Sequence, residues 1–173
     1  AIAAGQSISF QMPSDMLEVA FPLLNGGTHT TGGAFNFRAA SLASRLASNK
    51  DASMLFSSKV HGDPSTPILR AYVGDNVVFR LLAGMQNETH TFVTSGHGYR
   101  PERYDRDSRV TNALHVGIAE RFDLPTKAGG FQQMAGDYLY YNGRTSKLSE
   151  GSWGIIRVHD EVQKSLKILP GNE

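Results

Sequence analysis

Two of the six histidines fall in one stretch, Glu88-Thr-His-Thr-Phe-Val-Thr-Ser-Gly-His-Gly-Tyr99, at His90 and His97. The stretch reads as a short β-branched and aromatic strand that runs into a turn at Gly96. Imidazole nitrogen suits copper, zinc and iron, and a strand end is a ready place to present it. In a straight strand residues seven apart face opposite sides. A bend at Gly96 would let both rings face one point. The bland alternative is a pair of hydrogen-bonded structural histidines. His61, ahead of Gly62-Asp63-Pro64, is the third candidate ligand, or else a turn cap. His90, His97 and His61 are therefore the candidate metal set. No residue is assigned a catalytic or an organic-cofactor role.

Other chemistry is thinner. The chain has no cysteine, which removes thiol nucleophiles, iron–sulfur clusters and thiolate-ligated copper. It has no Gly-rich phosphate loop, nucleophile elbow or zinc-protease helix. His29 lies in a Gly- and Thr-rich segment, where a loop would fix ligand geometry poorly. His115 and His159 read as structural strand residues. Tyr138, Tyr140 and Tyr141 offer redox-active phenols or, more simply, strand packing with hydroxyls at the rim. Glu102, Asp105 and Asp107 suit a hard cation such as manganese or calcium. The interleaved Arg100, Arg103, Arg106 and Arg109 point instead to salt bridging.

The elements that must position these groups are mostly strands. A chain of 173 residues, 40 % hydrophobic and 19 % charged, suits one domain with a packed core. Its 17 basic and 16 acidic side chains argue against a nucleic-acid surface or a polybasic membrane patch. No apolar run approaches the roughly 20 residues that span a bilayer. Ala1-Ile-Ala-Ala is compatible with a mature terminus after signal cleavage, or with a simple cut site.

Met16 to Leu24 reads as a strand, and Asn25 to Gly33 as a loop. Phe35-Asn-Phe-Arg reads as a strand. Ala39 to Ala47, with Leu42, Ala43, Leu46 and Ala47 on one stripe, fits a single short helix. Strands then follow at Met54–Val60, Ile68–Val73, Val77–Leu82, the opening stretch, Arg109–Val116, Ala119–Leu124, Asp137–Tyr141 and Ser152–Val158. Turn signals separate them at Gly74-Asp75-Asn76 and Lys127-Ala-Gly-Gly. In Val77–Leu82 the residues Val77, Phe79 and Leu81 share a face. Residues 160–173 read as a charged tail with weak helical spacing. Short strands with turns every roughly 8–12 residues mark an all-β sandwich or barrel.

Four segments in register resemble a multicopper oxidase cupredoxin domain. They are Gly74-Asp75 with its following apolar strand, Glu88-Thr-His-Thr-Phe to Gly96-His97-Gly98, His115-Val-Gly-Ile-Ala-Glu-Arg-Phe-Asp-Leu, and Gly136-Asp-Tyr-Leu-Tyr-Tyr to Gly151-Ser-Trp-Gly-Ile-Ile-Arg-Val. The lead-in His61-Gly-Asp-Pro-Ser-Thr-Pro-Ile-Leu-Arg-Ala resembles that of the large bacterial members. The resemblance covers about residues 54–159. It implies an all-β Greek-key cupredoxin-like sandwich, with residues 1–53 as an N-terminal extension carrying one short helix and 160–173 as a tail.

The family also implies copper, held by a strand of the form His-x-x-His-x-His-Gly-His and a late His-Cys-His-x-x-x-His segment followed by Met. Here His90 and His97 are kept, but Val93 and Ser95 replace the central histidines. Tyr141, Asn142 and Gly143 stand for His-Cys-His, Lys147 for the next histidine and Ser152 for the methionine. A blue copper centre needs a thiolate with two imidazoles, so none is expected in this chain. Copper through an interface or a weak site stays open.

The expectation is a cupredoxin-like domain or subunit of a multicopper oxidase assembly, secreted, periplasmic or cell-surface, not catalytic as an isolated chain. Its partners would be other cupredoxin domains or subunits of the same oxidase, or a second copy in a homo-oligomer. The alternatives are a copper-free interaction module and a small mononuclear metal binder using His90 and His97.

Overall fold

The computed structural model describes residues 20–22, 28–30, 39–83, 89–102 and 104–169. A short antiparallel pair, β1 (Ala20–Pro22) and β2 (Thr28–Thr30), comes first, with Phe21 opposite His29. The backbone of His29 is thus in a strand, not in the loop expected for it. The strand expected at Phe35–Arg38 lies outside the described residues.

Helix α1 (Leu42–Ser48) follows, close to its expected place. Ser41 caps it, its Oγ accepting from the Ser44 amide at 3.2 Å. A 3₁₀ turn at Ala52–Met54 and helix α2 (Ser58–His61) then occupy the segment read as a strand. Asp51 is the reason at one end. Its carboxylate accepts from both the amide and the hydroxyl of Ser53, at 2.9 and 2.7 Å, which fixes a turn where a strand would need extended backbone. A further short helix, α3 (Thr145–Glu150), ends at Gly151 with φ 117°.

Two layers of strand make the body. The larger sheet has five strands: β3 (Leu69–Tyr72), β5 (His90–Thr94), β6 (Ala113–Val116), β8 (Gly136–Asn142) and β9 (Trp153–His159), in the order β3-β9-β8-β5-β6. All neighbours are antiparallel except β3 and β9, which run parallel with Leu69 opposite Ile156. The second layer is the antiparallel pair β4 (Asn76–Leu82) and β7 (Arg121–Lys127), with Phe79 opposite Leu124. Side chains on β4 alternate as expected, Phe79 buried between half-buried Val77 and Leu81, with Val78 and Arg80 exposed. The fold is an all-β sandwich with short peripheral helices.

Phe79 and Leu124 from the smaller layer meet Ala71, Ile156 and Val158 from the larger, with Tyr99 and Ala128 completing the cluster. At the start of β9, Trp153 is fully buried. Phe56 meets its ring edge-on at 5.1 Å between centroids. The Arg45 guanidinium lies 4.6 Å from the ring centroid, and the indole N–H donates to the Ala40 carbonyl at 2.9 Å. Arg45 also donates to the carbonyls of Leu55 and Gly62. A desolvated cation over an indole is worth roughly 2 kcal/mol, so α1 is fastened to the sandwich rather than laid on it.

Residues 160–169 contain no helix and dock on the sheet edge. The Tyr72 hydroxyl accepts from the Gln163 amide at 2.9 Å and donates to the Leu166 carbonyl at 2.7 Å, while Arg70 donates to the Ser165 hydroxyl. No helix among the described residues is long and apolar enough to cross a membrane.

Arg157 of β9 ties α2's exit to β8. Its guanidinium donates to both oxygens of Asp63, at 2.7 and 2.9 Å, and to both of Asp137, at 2.7 and 2.8 Å. Donation from Arg157, then from Ser58, holds the Asp63 carboxyl below its ordinary range. An acid depressed in the folded state contributes stability above its unfolded value of about 3.9, lost as pH falls through the lower folded value. Asp63→Asn is therefore expected to flatten the fall in stability below about pH 4, measured by urea denaturation at stepped pH. An unchanged acid slope would remove this pair from the account.

Candidate functional site

Strand β5 lies between β6 and β8, and its pairing decides what His90 can meet. Phe92 sits opposite Asn142 of β8, and His90 opposite Val116 of β6. Asn142 is buried. Its carbonyl oxygen accepts from the amides of Arg144 at 3.1 Å and Thr91 at 3.4 Å. That fixes the flip of the side-chain amide, so its Nδ2 is the atom that donates to His90 Nδ1, at 2.7 Å. His90 Nδ1 is therefore an acceptor, and the neutral ring carries its proton on Nε2. Gly143 lets the two strands close here. Its amide donates to the Thr91 carbonyl at 2.7 Å, and a Cβ on it would lie 3.2 Å from Val93 Cγ2.

His97 is set differently. The chain does bend at Gly96, with φ 70°, and a Cβ there would lie 2.6 Å from the Tyr138 ring. The bend turns His97 into the protein, where it is 1 % exposed. Its Nε2 accepts from the Gly129 amide at 3.1 Å, and its Nδ1 pairs with the Ser95 carbonyl at 3.0 Å. A backbone N–H can only donate and a carbonyl can only accept. The ring is thus the neutral Nδ1–H tautomer with both nitrogens engaged. Tyr138 packs edge-on to it, 4.6 Å between centroids, and passes its own hydroxyl proton toward the Met134 carbonyl at 2.7 Å. What His97 holds is the turn after β7, and the sequence offered Lys127-Ala-Gly-Gly as the sign of that turn.

His61, the last residue of α2, meets Ser48 Oγ through Nδ1 at 3.0 Å. The bend at Gly96 does not gather the three histidines. His90 faces Asn142, His97 faces Gly129 and His61 faces α1. Among the described residues no group of three or more His, Asp or Glu is arranged to hold a metal ion.

The remaining candidates also have defined surroundings. At the end of β9, His159 Nε2 accepts from Arg70 Nε at 3.4 Å, and burial, then the Arg70 and Arg157 cations, push its pKa down. The Tyr140 hydroxyl is pushed up to about 12 by burial, and so is that of Tyr99, which donates to the Phe92 carbonyl at 3.1 Å. The phenols are held as neutral donors, in line with the packing role. Asp105 accepts from the Asp107 amide, and Arg100 donates to the carbonyls of Arg106 and Ser108. The loop is thus organised by side-chain-to-backbone bonds at these residues. Arg103 lies outside the described residues.

The donor set does not fit a blue copper centre. That centre needs a thiolate. The position where the resemblance places it holds Asn142, whose amide group donates a hydrogen bond to His90. Lys147 and Ser152, which stand for the later histidine and methionine, are both buried, 3 % and 5 % exposed.

No protein-family model matches the chain, and no curated protein matches it. Among solved structures, it is similar to a copper-containing nitrite reductase from Thermus scotoductus, at 17 % identity and a TM-score of 0.48, over 60 % of this chain and 24 % of that one. It is similar to a blue copper oxidase from Nitrosomonas europaea, at 20 % identity and a TM-score of 0.46, over 62 % and 37 %. A multi-copper oxidase from Pediococcus acidilactici is similar at 14 % identity and a TM-score of 0.45, over 55 % and 21 %. The chain spans well under half the length of each of these proteins.

Proposed function

We propose that this chain is a cupredoxin-like domain or subunit of a multicopper-oxidase-type assembly, and that within it the chain is structural. Oxidation of substrate with reduction of oxygen belongs to other parts of that assembly. The observation that carries the reading is the Asn142–His90 hydrogen bond. A polar pair that satisfies itself takes the place of a ligand pair, so the strand-to-strand geometry is kept while the electron-accepting chemistry is not. His97 supports the same reading, since both its nitrogens serve the backbone. The proposed partners are other cupredoxin domains or subunits, in a secreted, periplasmic or cell-surface setting. The proposed unit is residues 54–159, with 1–53 and 160–173 as its extension and tail.

Two measurements test this. The first is copper reconstitution followed by metal analysis and absorption spectroscopy on wild type, His90→Ala and His97→Ala. No intense thiolate-to-copper band and no stoichiometric copper are expected in any of them. The histidine variants should instead separate in stability. His97→Ala removes two buried hydrogen bonds and a packed ring, and should cost on the order of 2–4 kcal/mol in denaturant unfolding. His90→Ala should cost about 1 kcal/mol. One copper per chain in wild type, lost in both variants, would overturn the structural role in favour of a mononuclear metal site. The second is isolation from the native source under non-denaturing conditions. Co-elution with copper-bearing polypeptide, whether covalently continuous or not, is expected; a copper-free 18.8 kDa species eluting alone would overturn the assembly.

A further inference from the structure

The turn that His97 holds forms one wall of a cleft of about 520 Å³, which opens between β7, the Gly98–Arg100 segment and the loop after β7. That volume is within the roughly 300–1,000 Å³ of small-molecule sites. We propose that the cleft binds a small, flat, apolar carboxylate, of the aromatic carboxylic acid class. This stands independently of the assembly reading, because none of the residues lining the cleft stands at a copper-ligand position.

Three observations carry it. The first is charge. Arg100 and Lys127 both line the cleft, and among the described residues no aspartate or glutamate does. Arg100 is held in place by donating to the Arg106 and Ser108 carbonyls. Lys127 Nζ donates to the Gly74 carbonyl at 3.3 Å. Charge-assisted bonds to a carboxylate are about twice as strong as neutral ones.

The second observation is the apolar wall. Val110, Pro125 and Phe131 line the same space. Phe131 is 100 % exposed and Val110 63 %. A phenylalanine ring left wholly in water forgoes roughly 1.5–3 kcal/mol that covering would return. A flat apolar ligand supplies that cover, and Gln133 and Thr126 add polar groups that can orient it.

The third is rigidity. Gly130 lies so close to Gly96 that a Cβ on it would fall 1.9 Å from the Gly96 carbonyl oxygen. His97 joins Gly129, Tyr138 joins Met134, and Thr126 Oγ1 donates to the Gly98 carbonyl at 2.8 Å. The two cleft walls are therefore cross-tied, and binding meets a site that is already formed.

The test is a titration followed by ¹H–¹⁵N correlation spectra, using 2-naphthoate and its uncharged counterpart 2-naphthylmethanol. Naphthoate should give saturable shifts confined to the amides of residues 98–100 and 126–133. The alcohol should bind about ten-fold or more weakly, the cost of one charge-assisted contact. The double variant Arg100→Gln/Lys127→Gln should lose the preference for the acid, with its spectrum elsewhere unchanged as proof of folding. Phe131→Ala should weaken both ligands together. Absence of saturable shifts at millimolar ligand, shifts mapping elsewhere, or equal affinity for acid and alcohol would each overturn the proposal.

Discussion

Strand β9 is covered on every side, and the rest of the structure depends on that. Parallel β3 takes one edge and antiparallel β8 the other. Five of its seven residues are buried, and only Arg157 and, at the rim, His159 are partly exposed. A strand so enclosed can carry polar groups only where they are paired. Its polar residues are therefore its fastening points. Trp153 receives α1 through Arg45 and Ala40, Arg157 receives Asp63 and Asp137, and His159 receives Arg70. Segments outside the sandwich are ordered because this strand gives them somewhere to bind.

The candidate site is a lesson in how a scaffold persists without its chemistry. The register that sets Asn142 beside Phe92 is the register that brings it to His90. Nothing in that register requires a metal. It requires only that buried Asn142 and half-buried His90 answer each other, which an amide and an imidazole do through one hydrogen bond. His97 takes the same principle further, because its two nitrogens bridge the turn that follows β5 and the turn after β7.

Much of the body was legible in the residues, and particular signals explain why. Val77, Phe79 and Leu81 alternate with Val78, Arg80 and Leu82, and no helix can bury that set. The stripe on Ala39–Ala47 marks α1 just as plainly. Met54–Val60 misleads because Leu55, Phe56 and Val60 look like a strand's apolar run. Phe56 in fact turns to Trp153, a partner 97 positions later that no local pattern reveals. Asp51 and Ser53 carried the contrary signal. At the site, the glycine at 96 announced a bend, but the direction of the bend depends on Tyr138 and Gly129, which only the fold brings near. The identity of position 142 was visible in the sequence. Its hydrogen bond to His90 was not, since that needs the β5–β8 register.

The parallel pairing of β3 with β9 has a consequence for how the chain can assemble. Arg70 and His159, which meet across it, are 89 residues apart in sequence. Closing so long a loop must precede any reward from the pairing, which slows the step that makes it. β3 is the first strand of this sheet in sequence, and its neighbour there among the described residues is β9, the last of the five. Until β9 pairs with it, the backbone edge of β3 is open, a hazard for association with other chains. Of the five strands in this sheet, the last in sequence is thus the one that closes the first, and the sheet is complete only when the chain has returned to where its order began.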